Sequence, residues 1–289
     1  MRTALITGSS GFIGCYLTQR LLDEHYRVYG LARKNNRKLK DSDYHWINAD
    51  LSSNKLDIPE EIDCCIHTAA LSPAIGLMAY DFACNNIIAT HNLLKALETT
   101  NCKYIIFLSG VSVYGDVMEP IIDEKTLICN PNSYGLSKLL AENVLKDQDA
   151  VPVCILRLPG VLGKGSRTPW LVQQIHKAIQ NETIRLYNPD ALFNNAVWVD
   201  DLCDFIITLM GRPLDDHQLF LLGAKEGQII SSLINQIRTH TGSKSRVEKI
   251  PGKSSFTLNI SKATGAKYLP QTIKRMLSLQ IDHELSVEK

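Results

Sequence analysis

The sequence predicts an α/β fold, a Rossmann-type doubly wound parallel sheet with a smaller C-terminal α/β substrate lobe. Two observations carry that prediction. Short apolar runs alternate with amphipathic segments through the first half of the chain, as strand–helix–strand units do. In addition, Thr7-Gly8-Ser9-Ser10-Gly11-Phe12-Ile13-Gly14 sets three glycines between the first apolar run and the first amphipathic one. A chain of 289 residues can hold a large core and a second, smaller one. The expected division is 1–160 and 161–289, with some later segments returning to the first domain.

Taken in order, the strands are expected at Thr3–Thr7, Arg27–Ala32, His45–Asn48, Cys64–Thr68, Tyr104–Ser109 and Val153–Leu158. Tyr104-Ile105-Ile106-Phe107-Leu108 is apolar without alternation, which suits a strand covered on both faces. Helices are expected at Gly14–Glu24, Asn86–Thr99 and Ser133–Lys146. Past residue 160 the texture changes: Gly163 to Pro169 reads as a loop, Trp170 to about Ile179 as a helix, and residues 211–289 as short helices and loops. The final residues, Leu285–Lys289, are expected to fray.

Composition narrows the function. Apolar residues make up 45% and charged residues 21%, with a net charge of +1, so nothing favours a nucleic-acid or membrane partner. The N-terminal apolar run is too short for a signal peptide, and no stretch approaches the ~20 apolar residues of a membrane span. A cytoplasmic protein is expected. Its eight cysteines, without a Cys-x-x-Cys, read as reduced thiols mostly in the core, and its eight histidines show no metal spacing.

The glycine run has the context of a dinucleotide site. Gly8 permits the tight turn, Gly11 the approach of backbone to a pyrophosphate, and Gly14 close packing of helix on strand. Ser10, Phe12 and Ile13 lie where backbone N–H groups and the helix dipole face phosphate. At the end of the second strand, where a carboxylate would hold the ribose 2′-hydroxyl of NAD, stands Arg33, followed by Lys34 and Arg37. That favours NADP, with NAD as the alternative. Lys38 and Lys40 read as a solvated basic loop.

Further along, Tyr134-x-x-x-Lys138 sets a phenol and an ammonium one helical turn apart. Tyrosine titrates near 10, and a neighbouring cation favours its phenolate. Tyr134 is thus a candidate acid/base and Lys138 its partner. Together these residues resemble the extended short-chain dehydrogenase/reductase family, the NAD-dependent epimerase/dehydratase group. The likeness runs through Asp50-Leu51, His67-Thr68-Ala69-Ala70, Asn86, Ser109 to Val113-Tyr114-Gly115, Arg157-Leu158-Pro159-Gly160, Val199-Asp200-Asp201-Leu202, Ser261-Lys262-Ala263 and Pro270. It implies cofactor contacts from Asp50, Leu51, Ala69, Ala70, Asn86, Tyr134, Lys138 and Pro159. It also implies a homodimer through helices near 78–100 and 133–147, and a nucleotide sugar as substrate.

Two departures from the family pattern stand out. Family members place a serine or threonine five residues before the glycine of Val-Tyr-Gly, where this chain has Gly110. Ser109, Ser112 or a water is left to supply that hydroxyl, and Ser109 is taken as the catalytic candidate, although alternation turns it away from the face of residue 110. Before Val199-Asp200-Asp201 many members carry an arginine for the substrate pyrophosphate, where this chain has Asn194-Asn195. Arg167, Lys164, Arg185 or Lys253 could substitute, and Trp170 could stack on a base or pack the core. Asp200 and Asp201 read as loop ties.

The leading reading is an NAD(P)-dependent enzyme that reduces or epimerises a carbon of a nucleotide sugar by hydride transfer. Reduction stands slightly ahead because Arg33 suggests NADPH. A reductase or dehydrogenase acting on a non-nucleotide carbonyl or alcohol is the first alternative, supported by the missing arginine. The second is an impaired NADP-binding sensor or scaffold, supported by Gly110. Selective binding of a nucleoside diphosphate argues against the former, and turnover against the latter.

Overall fold

The computed structural model describes residues 2–35, 39–53, 55–148, 150–212, 216–252 and 255–287, so Arg37, Lys38 and Lys253 lie outside the described residues. The chain divides into two compact units. The first takes residues 1–115, 128–157 and 206–220, and the second takes 116–127, 158–205 and 221–289. The main break therefore falls after Arg157, and both units are built from discontinuous segments.

The first unit is organised by a seven-stranded sheet. Strands β1 (Thr3–Thr7), β2 (Arg27–Ala32), β3 (Tyr44–Asn48), β4 (Cys64–His67) and β5 (Tyr104–Gly110) pair in the order β3–β2–β1–β4–β5, parallel throughout. Strands Val153–Leu158 and Gln218–Leu221 extend the sheet beyond β5. The order reverses at β1, and in such sheets the crevice at the carboxyl ends beside that reversal takes the ligand. Every residue of β5 is buried, as its uninterrupted apolar run anticipates. Leu5, Leu31, Cys65, Leu93, Ile105, Phe107, Ala141 and Ile155 meet in one core cluster, which joins the sheet to its covering helices.

Helix α1 (Phe12–Asp23), with Gly11 as its N-cap, starts two residues before the expected Gly14, and helix Ser133–Lys146 matches its expected bounds. Between them, helix Ala79–Phe82 runs on through the π-helical stretch Ala83–Ile88 into helix Ala89–Leu97. The expected start at Asn86 thus falls inside a longer helical run whose middle is locally unwound. Isolated π turns recur at functional sites, and Asn86 sits on this one.

The second unit has a separate core. Helices Trp170–Ile179, Ile230–Thr241 and Ile273–Val287 bury Leu171, Ile175, Leu233, Ile237, Met276 and Ile281 together. The last two helices, of 12 and 15 residues, correct the expectation of only short helices after residue 211. The final helix runs to Val287. None of the eight cysteines is in a disulfide, and among the described residues no helix is long and apolar enough to cross a membrane.

Candidate active site

The glycine turn is shaped for close approach. Gly8 has φ of 70°, and a Cβ there would stand 2.8 Å from Cα of Ala69. At Gly14 a Cβ would stand 2.2 Å from the Gly8 carbonyl oxygen. Thr7 fastens the neighbouring strand end: its Oγ1 accepts from the Ala69 N–H at 3.3 Å, and its carbonyl accepts from Thr68 Oγ1 at 2.7 Å. Gly8, Ala69 and the start of α1 are thereby brought to one sheet end. No side chain caps α1 at Gly11, which leaves its first-turn N–H groups for a ligand. That suits a pyrophosphate at a helix N-terminus.

Arg33 and Asp50 stand at the ends of β2 and β3. Their side chains are 4.0 Å apart and both well exposed, a weak pairing. The Asp50 carboxyl is held below its usual range chiefly by the Ser52 N–H, with Arg33 adding to it. Leu51 is buried, and its carbonyl accepts from Asn92 Nδ2 at 2.9 Å. Ser9, Ser10, Lys34, Asn35, Tyr44 and Trp46 line a cleft beside this corner. Ala70 follows Ala69 on the same exit, whereas Pro159 lies past strand Val153–Leu158 among residues of the second unit.

The tyrosine helix is set by its N-terminus. Asn132 caps it by accepting the Gly135 N–H at 2.9 Å. Gly135 is required for packing, since a Cβ there would lie 2.1 Å from the Ser112 carbonyl oxygen. Gly115, with φ of 69°, lets the strand exit pass under Cys129, whose N–H donates to the Tyr114 carbonyl at 2.9 Å. These close passes bring the segment after β5 against the residues that start the tyrosine helix. One turn on, Lys138 is buried with Nζ 4.1 Å from the Phe107 ring centroid.

Burial governs the electrostatics here. It raises the Tyr134 phenol and pulls the Lys138 ammonium down to about 7, with Glu142 acting to raise the latter. Asn86 closes the back of the site. Its Oδ1 accepts from the Leu71 N–H at 2.7 Å, and its Nδ2 donates to Ser137 Oγ at 2.9 Å. Because the protein uses both ends of this amide, Asn86 joins the β4 exit to the tyrosine helix.

Ser109 is not free for the role given to it. Its Oγ donates to Glu142 Oε1 at 2.5 Å, and Arg157 grips the same carboxylate at 3.1 and 2.7 Å. Ser112 differs: its Oγ is buried and has no hydrogen-bond partner among the described residues. Residues distant in sequence make this difference, and nothing in the local pattern around Ser109 announces Glu142 or Arg157. In the second unit Asn194 holds both backbone groups of Leu258, and Asp201 holds Gln271, so these are ties within the fold. Trp170 packs on Phe193 at 5.4 Å, Arg185 pairs with Glu248, and Arg167 and Lys164 are exposed. Among the described residues no cluster of metal-ligating side chains occurs.

His67 is the one buried imidazole here. Thr90 Oγ1 commits its proton to the Asn86 carbonyl at 2.6 Å, so His67 Nε2 donates to Thr90 while Nδ1 accepts from Thr7. Burial first, and Lys138 second, push the imidazole down to about 3. Below about pH 6.5 the unfolded chain binds a proton that the folded chain refuses, so this part of the stability falls as pH drops toward 3. The acid slope of Tm should therefore be shallower in His67→Gln than in wild type. Parallel slopes in a thermal scan series would contradict this.

A dinucleotide cradle joined to a tyrosine–lysine pair at one sheet end defines a nicotinamide-dependent enzyme of the short-chain type. The chain belongs to the NAD dependent epimerase/dehydratase family, whose sequence model matches residues 4–223. It is 27% identical to an uncharacterized UDP-glucose epimerase, YtcB, of Bacillus subtilis (strain 168), over 90% of each chain. It is 30% identical to UDP-glucose 4-epimerase 1 of Oryza sativa subsp. japonica over 52% of this chain and 48% of that one. The fold matches the UDP-glucuronic acid 4-epimerase from Bacillus cereus in complex with NAD, with a TM-score of 0.83 and 24% identity over 99% of this chain and 100% of that one. MoeE5 in complex with UDP-glucuronic acid and NAD gives 0.82 at 21% identity over 99% of each.

Proposed function

We propose that this enzyme epimerises a hydroxyl-bearing carbon of a nucleotide hexose, with UDP-sugars as the first substrates to test. The observation that carries this reading is the Tyr134–Lys138 pair, held beside a glycine turn fit for a pyrophosphate. When bound, the dinucleotide supplies a hydride acceptor that returns the hydride within the same turnover. Tyr134 takes the proton of the sugar hydroxyl and gives it back, and Lys138 supplies the positive charge that makes phenolate accessible. Asn86 and Ser137 hold the helix in register for both passes. The likeness to a UDP-glucose epimerase over 90% of each chain moves weight from reduction, which Arg33 alone favours, to epimerisation.

The experiment is incubation of the purified protein with UDP-glucose, UDP-galactose and UDP-glucuronic acid, followed by separation of C4 epimers. Interconversion without net nicotinamide reduction is expected. Net consumption of NADPH with a keto sugar would restore the reductase reading. The corner at Arg33 and Lys34 also accepts NADP beside NAD, despite the opposing charge of Asp50. In fluorescence titrations Arg33→Ala is expected to weaken NADPH binding about tenfold and leave NADH within about twofold. Equal losses for the two nucleotides would remove the 2′-phosphate assignment.

The enzyme acts as a homodimer in this reading. Met78, Tyr80, Ile88, Leu136 and Leu140 leave apolar surface exposed on the two helical runs that the family resemblance assigns to dimerisation.

A further inference from the structure

A buried ion pair, Arg157 with Glu142, stands one helical turn beyond Lys138. Glu142 is fully buried one turn beyond Lys138 on the same helix face. Its carboxylate takes two hydrogen bonds from Arg157 and one from Ser109 Oγ. The Arg157 guanidinium in turn lies 4.8 Å from the Tyr114 ring centroid. Three elements of the first unit thus fix one negative charge: β5 through Ser109, strand Val153–Leu158 through Arg157, and the tyrosine helix itself. A structural pair needs only its partner, yet this one lies in the same helix interior as a buried ammonium.

Resting on the Tyr134–Lys138 reading above, we propose that Glu142 is a positioning residue for that pair, whose carboxylate keeps Lys138 protonated in an apolar interior. The groups around Lys138 leave this role to Glu142. On its own helix are Tyr134, which benefits from the ammonium, and Glu142. From β5 comes the neutral Phe107 ring, and from β4 comes His67, held neutral by burial. Arg157, from strand Val153–Leu158, brings a second positive charge that Glu142 must also balance. Tyr114, from the turn after β5, lies against Arg157. Asp81, on the helix Ala79–Phe82 packed against the tyrosine helix, is tied to the Met78 N–H, so Glu142 is the one buried anionic side chain among these groups. Its effect opposes the burial that draws Lys138 toward neutrality.

The sign of the effect follows. Without the carboxylate, Lys138 and Arg157 are two buried cations with no counter-charge, so Lys138 loses its proton at lower pH. Tyr134 then loses its cation over the upper part of the pH range, and the alkaline limb of the kcat profile moves to lower pH.

The test uses the full-length enzyme and two variants. Glu142→Gln removes the charge and keeps the shape. Glu142→Asp keeps the charge but draws it back by one methylene, and it serves where the first variant folds poorly. The alkaline limb is expected to move acidward by about one pH unit in Glu142→Gln and by a fraction of that in Glu142→Asp. The KM for the sugar is expected to stay within about twofold, because Glu142 is fully buried behind the pair. A lower Tm with an unmoved profile in whichever variant folds would reduce Glu142 to a fold tie and overturn the proposal. NADH affinity is measured across the same pH range in parallel, because Lys138 is placed at the cofactor and this titration needs no sugar. If wild type turns over no UDP-sugar, the epimerase reading fails. The NADH–pH curves then still decide on Glu142, for which an unmoved curve is again the overturning result.

Discussion

Replacing Tyr134 with phenylalanine is expected to lower kcat by about 10²–10⁴-fold, the range for a lost general acid/base. Burial alone raises this phenol, so the fold by itself works against the charge state the reaction needs. In the proposed mechanism the phenol is brought into range by positive charge, from Lys138 and from the oxidised nicotinamide when it is bound. The hydroxyl therefore contributes to the step and little to the fold. Its ring packs edge-on against Phe82 at 5.9 Å, a contact that phenylalanine keeps. The variant should hold Tm within a degree or two and bind NADH within about twofold of wild type. Measured kcat within about tenfold of wild type would mean that another group moves the proton. A collapse of NADH binding would mean that Tyr134 is mainly a cofactor contact.

How much of this was legible in the chain depends on the range of the interaction. The glycine turn, the five strands up to β5 and the tyrosine helix are local statements, made by φ-permissive glycines, apolar runs and an amphipathic segment around Tyr134. Each could be read because its cause lies within a few residues of its effect. Strand Gln218–Leu221 is not among the expected strands although Leu219 to Leu222 is an apolar run; a run of four fits a strand or a buried helical turn equally, and pairing at the sheet edge decides between them. The 15-residue final helix was missed for a related reason. Its buried residues Ile273, Met276, Leu277 and Ile281 do follow helical spacing, but the stripe is interrupted by the buried amide of Gln280 and is short on apolar residues beyond Ile281. The π turn at Asn86 is likewise tertiary, set by Leu71 and Ser137. Ser109 shows the limit most plainly. A serine beside the expected position looks like a substitute until Glu142, 33 residues on, claims its proton.

That claim decides the second large effect, which is expected at Ser112. A carbonyl or alkoxide oxygen at the reacting carbon needs a donor besides Tyr134, and losing one such donor costs about 10²–10³-fold in kcat. Gly110 has no hydroxyl. Ser109 could serve only by leaving Glu142, which would take a bond from a fully buried carboxylate. Ser112 has nothing to give up. Its Oγ is buried without a partner among the described residues, an arrangement that costs about 1–3 kcal/mol until something fills it. Its backbone sits against Gly135, the residue next to Tyr134. Ser112→Ala should then lower kcat by about 10²–10³-fold and leave Tm unchanged or higher, since the unpaired hydroxyl is removed. Ser109→Ala should do the reverse, lowering Tm with a much smaller kinetic effect. Adding Gly110→Ser to Ser112→Ala should recover part of the lost rate, because Gly110 has φ of −146°, a backbone that serine adopts without strain. Wild-type kcat in Ser112→Ala, with the loss appearing in Ser109→Ala, would return the role to Ser109. It would also mean that the Glu142 bond breaks during the cycle, a cost the enzyme would carry in every turnover.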